Sequence, residues 1–275
     1  MTRDADLTRV VLNLWVLSAG ICLVAPLFVV FVVSFTKSEY ISFPTNGITF
    51  RWWAEALVSS RYQSAAFTSL VLATATVLGD VLLGVPASIA LVRIRPRGSG
   101  FARLVMSTPL IVPEILTALG LLIFFSTYGL SNPFLSLYIG HLLITFPYVV
   151  ELSAAALYRF DERQEWAAKS LGASGLRAFL HVTLPQIAPE LIAGCLFAFI
   201  VSWNNAGLSI FLSGAKITVL PAALFFDLEY NVSPAVVAAS AELIVVSVLA
   251  ASVAHRVFAL ETVVGRLQTE RAQAA

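Results

Sequence analysis

Charge is what this sequence has least of. Asp, Glu, Lys and Arg make up 12% of its 275 residues, apolar residues make up 59%, and the mean hydropathy is +0.87. A soluble domain carries about 25% charged residues. So little charge cannot cover a globule in water, and lipid is the solvent this composition fits. The net charge of +1 excludes attraction to nucleic acid through bulk charge. The two cysteines, Cys22 and Cys195, lie in apolar stretches and make no disulfide framework, and no Cys/His spacing suits a metal. No Gly-x-x-x-x-Gly-Lys-Ser/Thr segment, catalytic triad or cofactor loop occurs, so no self-contained enzyme and no cofactor bound by this chain are expected. A cleavable signal peptide has an apolar core of about 7–15 residues. Here the polar Met1–Val10 leads into about 25 uncharged residues, which reads as a retained first span.

Long apolar runs are what the chain does have. Six of them reach the length of about 20 residues that a membrane-crossing helix needs, at about 10–35, 65–92, 104–125, 133–157, 187–212 and 234–255. Backbone polar groups cannot stay unpaired in hydrocarbon, and the runs lack ten-residue alternation, so helices rather than a barrel follow. The chain is expected to be one all-α polytopic membrane domain over 1–275. Orientation comes from the basic residues. Arg3, Arg9, Arg93, Arg95, Arg97, Arg103, Arg159, Arg163, Lys169, Arg177, Arg256, Arg266 and Arg271 fall on one side. Only Lys37, Arg51, Arg61 and Lys216 fall on the other, so both termini are expected inside. The longest outer loop, about 36–64, carries the turn signal Pro44-Thr45-Asn46-Gly47 and the pair Trp52-Trp53. It suits a short interfacial helix, serving as an anchor or as a contact for an external partner.

The inner segment 159–186 is the most informative. Asp161 can cap a helix whose first turn is acidic, Ala167, Ala168 and Leu171 propagate it, and Gly172 can end it in a left-handed turn. A second helical stretch is expected from about Ser174 to Pro185, where the chain re-enters the membrane.

This segment closely resembles the signature of binding-protein-dependent ABC importer permeases. In that family Glu-Ala-Ala is followed by three residues and Gly, then nine residues, Ile or Val, any residue, and Leu-Pro. Trp166-Ala167-Ala168, Gly172 and Val182-x-Leu184-Pro185 match in register. Trp166 stands where the family has its glutamate, with Glu165 one residue early. Gly47-Ile48-Thr49-Phe50-Arg51-Trp52-Trp53, Pro113-Glu114-Ile115, Phe146-Pro147-Tyr148 and Val232-Ser233-Pro234 resemble the polyamine-permease branch, especially its second subunit type. The resemblance implies a type I importer permease (MetI-like) fold in a bacterial inner membrane. It also implies a second permease subunit, an external solute-binding protein, and an ATPase dimer that holds ATP and Mg. Glu165, Trp166, Ala167, Ala168, Gly172, Ala173, Leu184 and Pro185 would form the coupling element that docks on the ATPase.

Five acids, Asp80, Glu114, Glu151, Glu190 and Glu242, lie within the assigned spans, and no Lys or Arg does. A charge at mid-bilayer costs about 2.5–3.5 kcal/mol on the insertion scale, so such groups face a wet cavity or a bundle interior. Asp80 and Glu114 sit deepest and serve either a solute path or interhelical hydrogen bonding. Glu190 reads as interfacial, and Glu151 and Glu242 as structural. Ser202-Trp203-Asn204-Asn205 interrupts the fifth run, either as a polar lining able to take an ammonium group by hydrogen bonding and cation–π attraction or as a set of interhelical hydrogen bonds, the lining being favoured. Polyamine permeases carry acids in the equivalent stretch. Amides here weaken the case for a polyamine and fit a smaller amine-bearing solute, such as an amino acid derivative or an aminophosphonate, with a polyamine-like solute left open. His141 reads as a satisfied core residue. Pro86, Pro109, Pro113, Pro147, Pro185 and Pro189 read as bends or ends of helices. An ion-coupled carrier using the membrane acids is the alternative, although such carriers usually show internal repeats and none is evident.

Overall fold

A computed structural model of the chain describes residues 2–130, 132–214, 217–230 and 232–252. His255, Arg256, Arg266 and Arg271, and Lys216 of the outer side, lie outside the described residues. The elements run α1 (Thr2–Ser34), α2 (Arg51–Val58), α3 (Ser60–Ile89) and a π-helical turn (Ala90–Ile94). Next come α4 (Ser99–Ser107), a 3-10 turn (Thr108–Leu110), α5 (Glu114–Thr127), α6 (Pro133–Arg159) and α7 (Glu162–Ser170). They are followed by α8 (Gly175–Ala178), a second π-helical turn (Phe179–Thr183), α9 (Leu184–Trp203), α10 (Gly207–Leu212), α11 (Leu220–Tyr230) and α12 (Pro234–Ser252). The chain is an all-helical polytopic membrane protein, and no strand occurs among the described residues.

Among the described residues, five stretches are long and apolar enough to cross a membrane: Val11–Ser34, Ser60–Ile94, Pro133–Arg159, Gly175–Trp203 and Pro234–Ser252. The third expected run, 104–125, is not one straight helix. Ser99–Leu110 and Glu114–Thr127 pass the same test only together and meet at a bend of 101°, which makes this run a broken span or a re-entrant loop. Pro113 is the cause: it has no N–H for a continuing ladder and sits at φ −55°, ψ 128°, outside the helical region. The fifth run is also redrawn. Its helix starts at Gly175, twelve residues ahead of the expected start at 187, because the π-helical turn at Phe179–Thr183 carries the chain past Pro185 without a break. It ends at Trp203 instead of Leu212, and the remainder becomes the separate α10. A helix was not expected between the last two crossings, yet α11 forms there.

By internal contacts the chain divides into two units, residues 1–63 with 224–244, and 64–223 with 245–275. In the first unit, Trp52 and Ala56 give α2 a buried face. Trp52 Nε1 donates to the Thr36 carbonyl (2.9 Å), Trp53 Nε1 donates to Ser34 Oγ (3.1 Å), and Thr36 bridges Ile48. Also in this unit, Asp227 of α11 pairs with Arg61 (2.7 Å) and accepts from Tyr62 Oη (2.9 Å). In the second unit a core of Leu72, Phe125, Leu137, Ile144, Leu208 and Leu212 joins α3, α5, α6 and α10. A second cluster, including Val92, Leu157 and Ile187, joins the end of α3 to α6 and α9. Lipid tails are as apolar as these side chains, so the helices associate through close packing and hydrogen bonds rather than by escape from water. Gly194 is an instance: a Cβ there would sit 3.1 Å from the Tyr148 carbonyl oxygen and the Val149 Cα of α6.

Candidate functional site

Two places in the second unit gather the chemistry-bearing residues. The first is where two interrupted helices meet. Pro113 starts α5, putting Glu114 in its first turn, where the helix dipole favours a negative charge. On the other side, α9 stops at Trp203 and α10 begins at Gly207. Asn205 Oδ1 caps α10, accepting from the Leu208 (3.1 Å) and Ser209 (3.3 Å) amides, and Asn205 Nδ2 donates to Glu114 Oε1 at 2.6 Å. The Leu208 amide also donates to that oxygen, at 2.8 Å. Gly207 makes this approach feasible, because a Cβ there would lie 2.9 Å from Glu114 Oε1. One carboxylate thus braces two broken helices using neutral donors. No described cation lies within ion-pair distance of it, and Glu114 is exposed.

Behind this brace the interior is polar and sealed. His141, fully buried on α6, bonds Ser202 Oγ through Nδ1 (2.8 Å) and Ser209 Oγ through Nε2 (3.0 Å). It therefore ties the helix ahead of the break to the helix after it. Asp80 on α3 is fully buried. Its Oδ2 accepts from Thr145 Oγ1 (2.7 Å), while its Oδ1 has no partner among the described residues. Trp203 is buried and stacked on Phe199 at 6.1 Å. Asn204 points the other way: it is exposed, and its Nδ2 donates to the Ile200 carbonyl (3.0 Å) and Ser247 Oγ (2.9 Å). Of the five candidates for a solute path, Glu114 and Asn205 are joined directly. Glu114 and Asn204 are surface groups, and Asp80, Asn205 and Trp203 are interior. The other acids have partners or are enclosed. Glu151 takes an ion pair from Arg103 and a hydrogen bond from Ser107, Glu190 pairs with Arg159, and Glu242 Oε1 is buried with no partner among the described residues.

The second place is the loop 159–186. Asp161 Oδ1 accepts from the Arg163 amide (3.0 Å), capping α7. At the far end the Gly172 amide bonds the Lys169 carbonyl and the Ala173 amide bonds the Ala168 carbonyl. That pair of bonds needs a residue at positive φ, and Gly172 sits at +94°. Ser174 Oγ then caps α8. Trp166 (60% exposed), Leu171 (91%) and Leu176 (69%) stand out from the loop, with Ala167 and Gly172 exposed between them. Ala168, Ala173 and Leu184 are half-buried, and Pro185 is exposed.

Glu165 faces inward. It is 6% exposed and takes an ion pair from Arg93 (2.6 Å), another from Lys169 (2.8 Å), and a hydrogen bond from Thr183 Oγ1 (2.7 Å). Burial raises its pKa, but the hydrogen bonds from Lys169, Thr183 and Arg93 win and hold it at about 2. Sequence reasoning did not find Arg93 or Thr183 as its partners. They lie 72 and 18 residues away, and nothing local announces the pairing. Asp227 was also missed, because the apolar run of α11 is too short to score as a crossing.

The family described as "Binding-protein-dependent transport system inner membrane component" matches residues 80–260. Among curated proteins, the putrescine transport system permease protein PotI of Escherichia coli strain K12 is 31% identical over 219 residues, 77% of this chain and 78% of that protein. The spermidine/putrescine transport system permease protein PotC of the same strain is 30% identical over 224 residues, 82% and 84% of the two chains. Among solved structures, a chain of a bacterial ABC transporter involved in the import of the acidic polysaccharide alginate superposes with a TM-score of 0.69. It covers 93% of this chain and 96% of that one at 18% identity, a likeness of fold.

Proposed function

The chain belongs to the family of binding-protein-dependent transport system inner membrane components. From that premise we propose that it moves a small, amine-bearing solute along a path passing Glu114 and Asn204, driven by an ATPase dimer seated on loop 159–186. ATP and Mg belong to that partner, and this chain supplies a passive path whose two orientations ATP binding biases. A second permease subunit and an external solute-binding protein complete the assembly in a bacterial inner membrane. Trp166, Ala167, Ala168, Gly172 and Ala173 form the docking helix and its turn, Leu184 and Pro185 lead into the next crossing, and Glu165 holds the helix from behind. Asn205 aligns Glu114, while Asp80 and Trp203 brace the helices around it.

The observation carrying this reading is the exposed carboxylate of Glu114, held by neutral donors with no cation beside it among the described residues. A carboxylate in that state is a ready partner for an ammonium group, and a charge-assisted hydrogen bond contributes about 1.5–3 kcal/mol. The two relatives named for putrescine and for spermidine/putrescine transport support an amine as cargo. The test is uptake of radiolabelled putrescine by proteoliposomes holding the whole transporter with its binding protein. Glu114→Gln is expected to lower uptake about tenfold or more, and Asn204→Ala with Asn205→Ala to lower it as well. Amine uptake indifferent to these changes would overturn the reading.

A further inference from the structure

Glu165 is placed to do more than hold a surface helix. Three groups converge on its carboxylate, each from a different element. Arg93 comes from the π-helical turn ending the Ser60–Ile94 crossing, Thr183 from the π-helical turn inside the Gly175–Trp203 crossing, and Lys169 from α7 itself. A π-helical turn widens the helix by one residue and resets its register by roughly 100°, and such turns recur at functional positions. In this chain both of them deliver a side chain to the same acid. Arg93 also reaches Thr183 (3.4 Å) and lies over the Phe160 ring at 5.4 Å, so the guanidinium is held against the loop on two sides. Its side chain is 17% exposed and that of Glu165 is 8%. An exposed ion pair contributes little, but a pair this enclosed is strongly coupled to the position of both partners.

We propose that Glu165 and Arg93 are positioning residues forming an internal strut that passes displacement of α7 to the inner end of the Ser60–Ile94 crossing, with Thr183 tying in the Gly175–Trp203 crossing. The strut rests on the reading that α7 sits on an ATPase. Without it the loop joins only α6 to α9 through the chain, and among the described residues a push on α7 has no polar route to α3. The position ahead of Trp166 is thereby committed inward, so the outward contact of the helix is made by the indole of Trp166 and by Leu171.

The experiment measures uptake and ATP hydrolysis in the same proteoliposomes, using the complete transporter carrying Glu165→Gln, Arg93→Gln, both changes, or Arg93→Lys. Solute moved per ATP is expected to fall about tenfold in each single glutamine variant, on the scale of one lost buried charged hydrogen bond. The double variant should be no worse than either single one, and Arg93→Lys should retain most of the coupling. An unchanged ratio, with losses following only the amount of assembled complex, overturns the strut. So do single losses that multiply in the double variant, since independent residues add in free energy. Arg93→Lys preserves the charge and keeps the test open where Arg93→Gln fails to assemble. Cysteines replacing Trp166 and Leu171 separate the two readings. If they fail to cross-link to the ATPase in an otherwise unaltered transporter, the docking reading falls. If they cross-link and the ratio holds in Glu165→Gln, only the strut falls.

Discussion

Glu165 and Glu114 both join helices that are distant in sequence, and they are held by opposite means. Glu165 is enclosed by two cations and a hydroxyl, so its charge is compensated within the chain. Glu114 is held by an amide and a backbone N–H and stays exposed, so its charge is oriented but not cancelled. The difference separates their uses. A carboxylate that already has its counter-charges can transmit force but cannot take a ligand without losing its partners. One fixed by neutral dipoles is preorganised and remains available to a cation.

Removing the charge should therefore cost most at Glu165. Glu165→Gln leaves the half-buried Arg93 guanidinium short of its anion, and breaking a buried pair costs about 3–5 kcal/mol. Lys169 is freed to solvent, which puts the expected effect near the lower figure. Amide hydrogen exchange in α7 should accelerate about a hundredfold, at about 1.4 kcal/mol per factor of ten. Acid should reproduce this reversibly. The folded pKa of about 2 lies below the ordinary 4.5, so the bound state of α7 is favoured above pH 4.5 and that advantage disappears as pH falls toward 2. Exchange in α7 is expected to be flat in this respect between pH 7 and 5 after correction for intrinsic rates. A release of α7 already complete at pH 5 would mean that Glu165 is not what holds it.

A smaller loss is expected at the brace. Asn205→Leu removes the cap of α10 and one of the two donors to Glu114. An unsatisfied polar group costs about 1–3 kcal/mol and a lost cap about 1 kcal/mol, but Glu114 keeps the Leu208 amide as a donor. About 2 kcal/mol is the expected total, read as a lower unfolding midpoint for the purified subunit in detergent. A loss as large as that of Glu165→Gln would place Glu114 in a sealed interior and remove the distinction between the two acids.

How far each site was legible follows from the distance between its parts. The frame of the inner loop is local: Asp161 as cap and Gly172 as the left-handed turn are written within twelve residues of each other, and both form as the sequence directs. The inward aim of Glu165 is not local. It depends on Arg93 and on two π-helical turns, and hydrophobic periodicity carries no trace of a one-residue widening. The break at Pro113 was visible as a proline, but a window of about 20 residues averages hydropathy across it and returns a single run. The break after Trp203 was visible as polar residues and read as a lining. That Asn205 would turn its carbonyl to cap a new helix depends on Gly207 leaving room for Glu114, which lies 91 residues away.

The mildest structural change is expected where the functional one is large. Glu114→Gln keeps an acceptor oxygen for Asn205 Nδ2 and for the Leu208 amide, and it removes a charge that the membrane penalises by up to about 3 kcal/mol at mid-depth. The lost charge-assisted strength of two hydrogen bonds offsets much of that relief, so the unfolding midpoint should move by less than about 1 kcal/mol in equivalent free energy, in either direction. The same substitution at Glu165 gains no such relief, because the native pair is already neutralised by its cations. Measuring the two glutamine variants side by side, under one detergent and one pH, is the sharpest way to compare them. Equal destabilisation would show that Glu114 is also charge-compensated in the folded protein, and its availability to an ammonium group would then be lost.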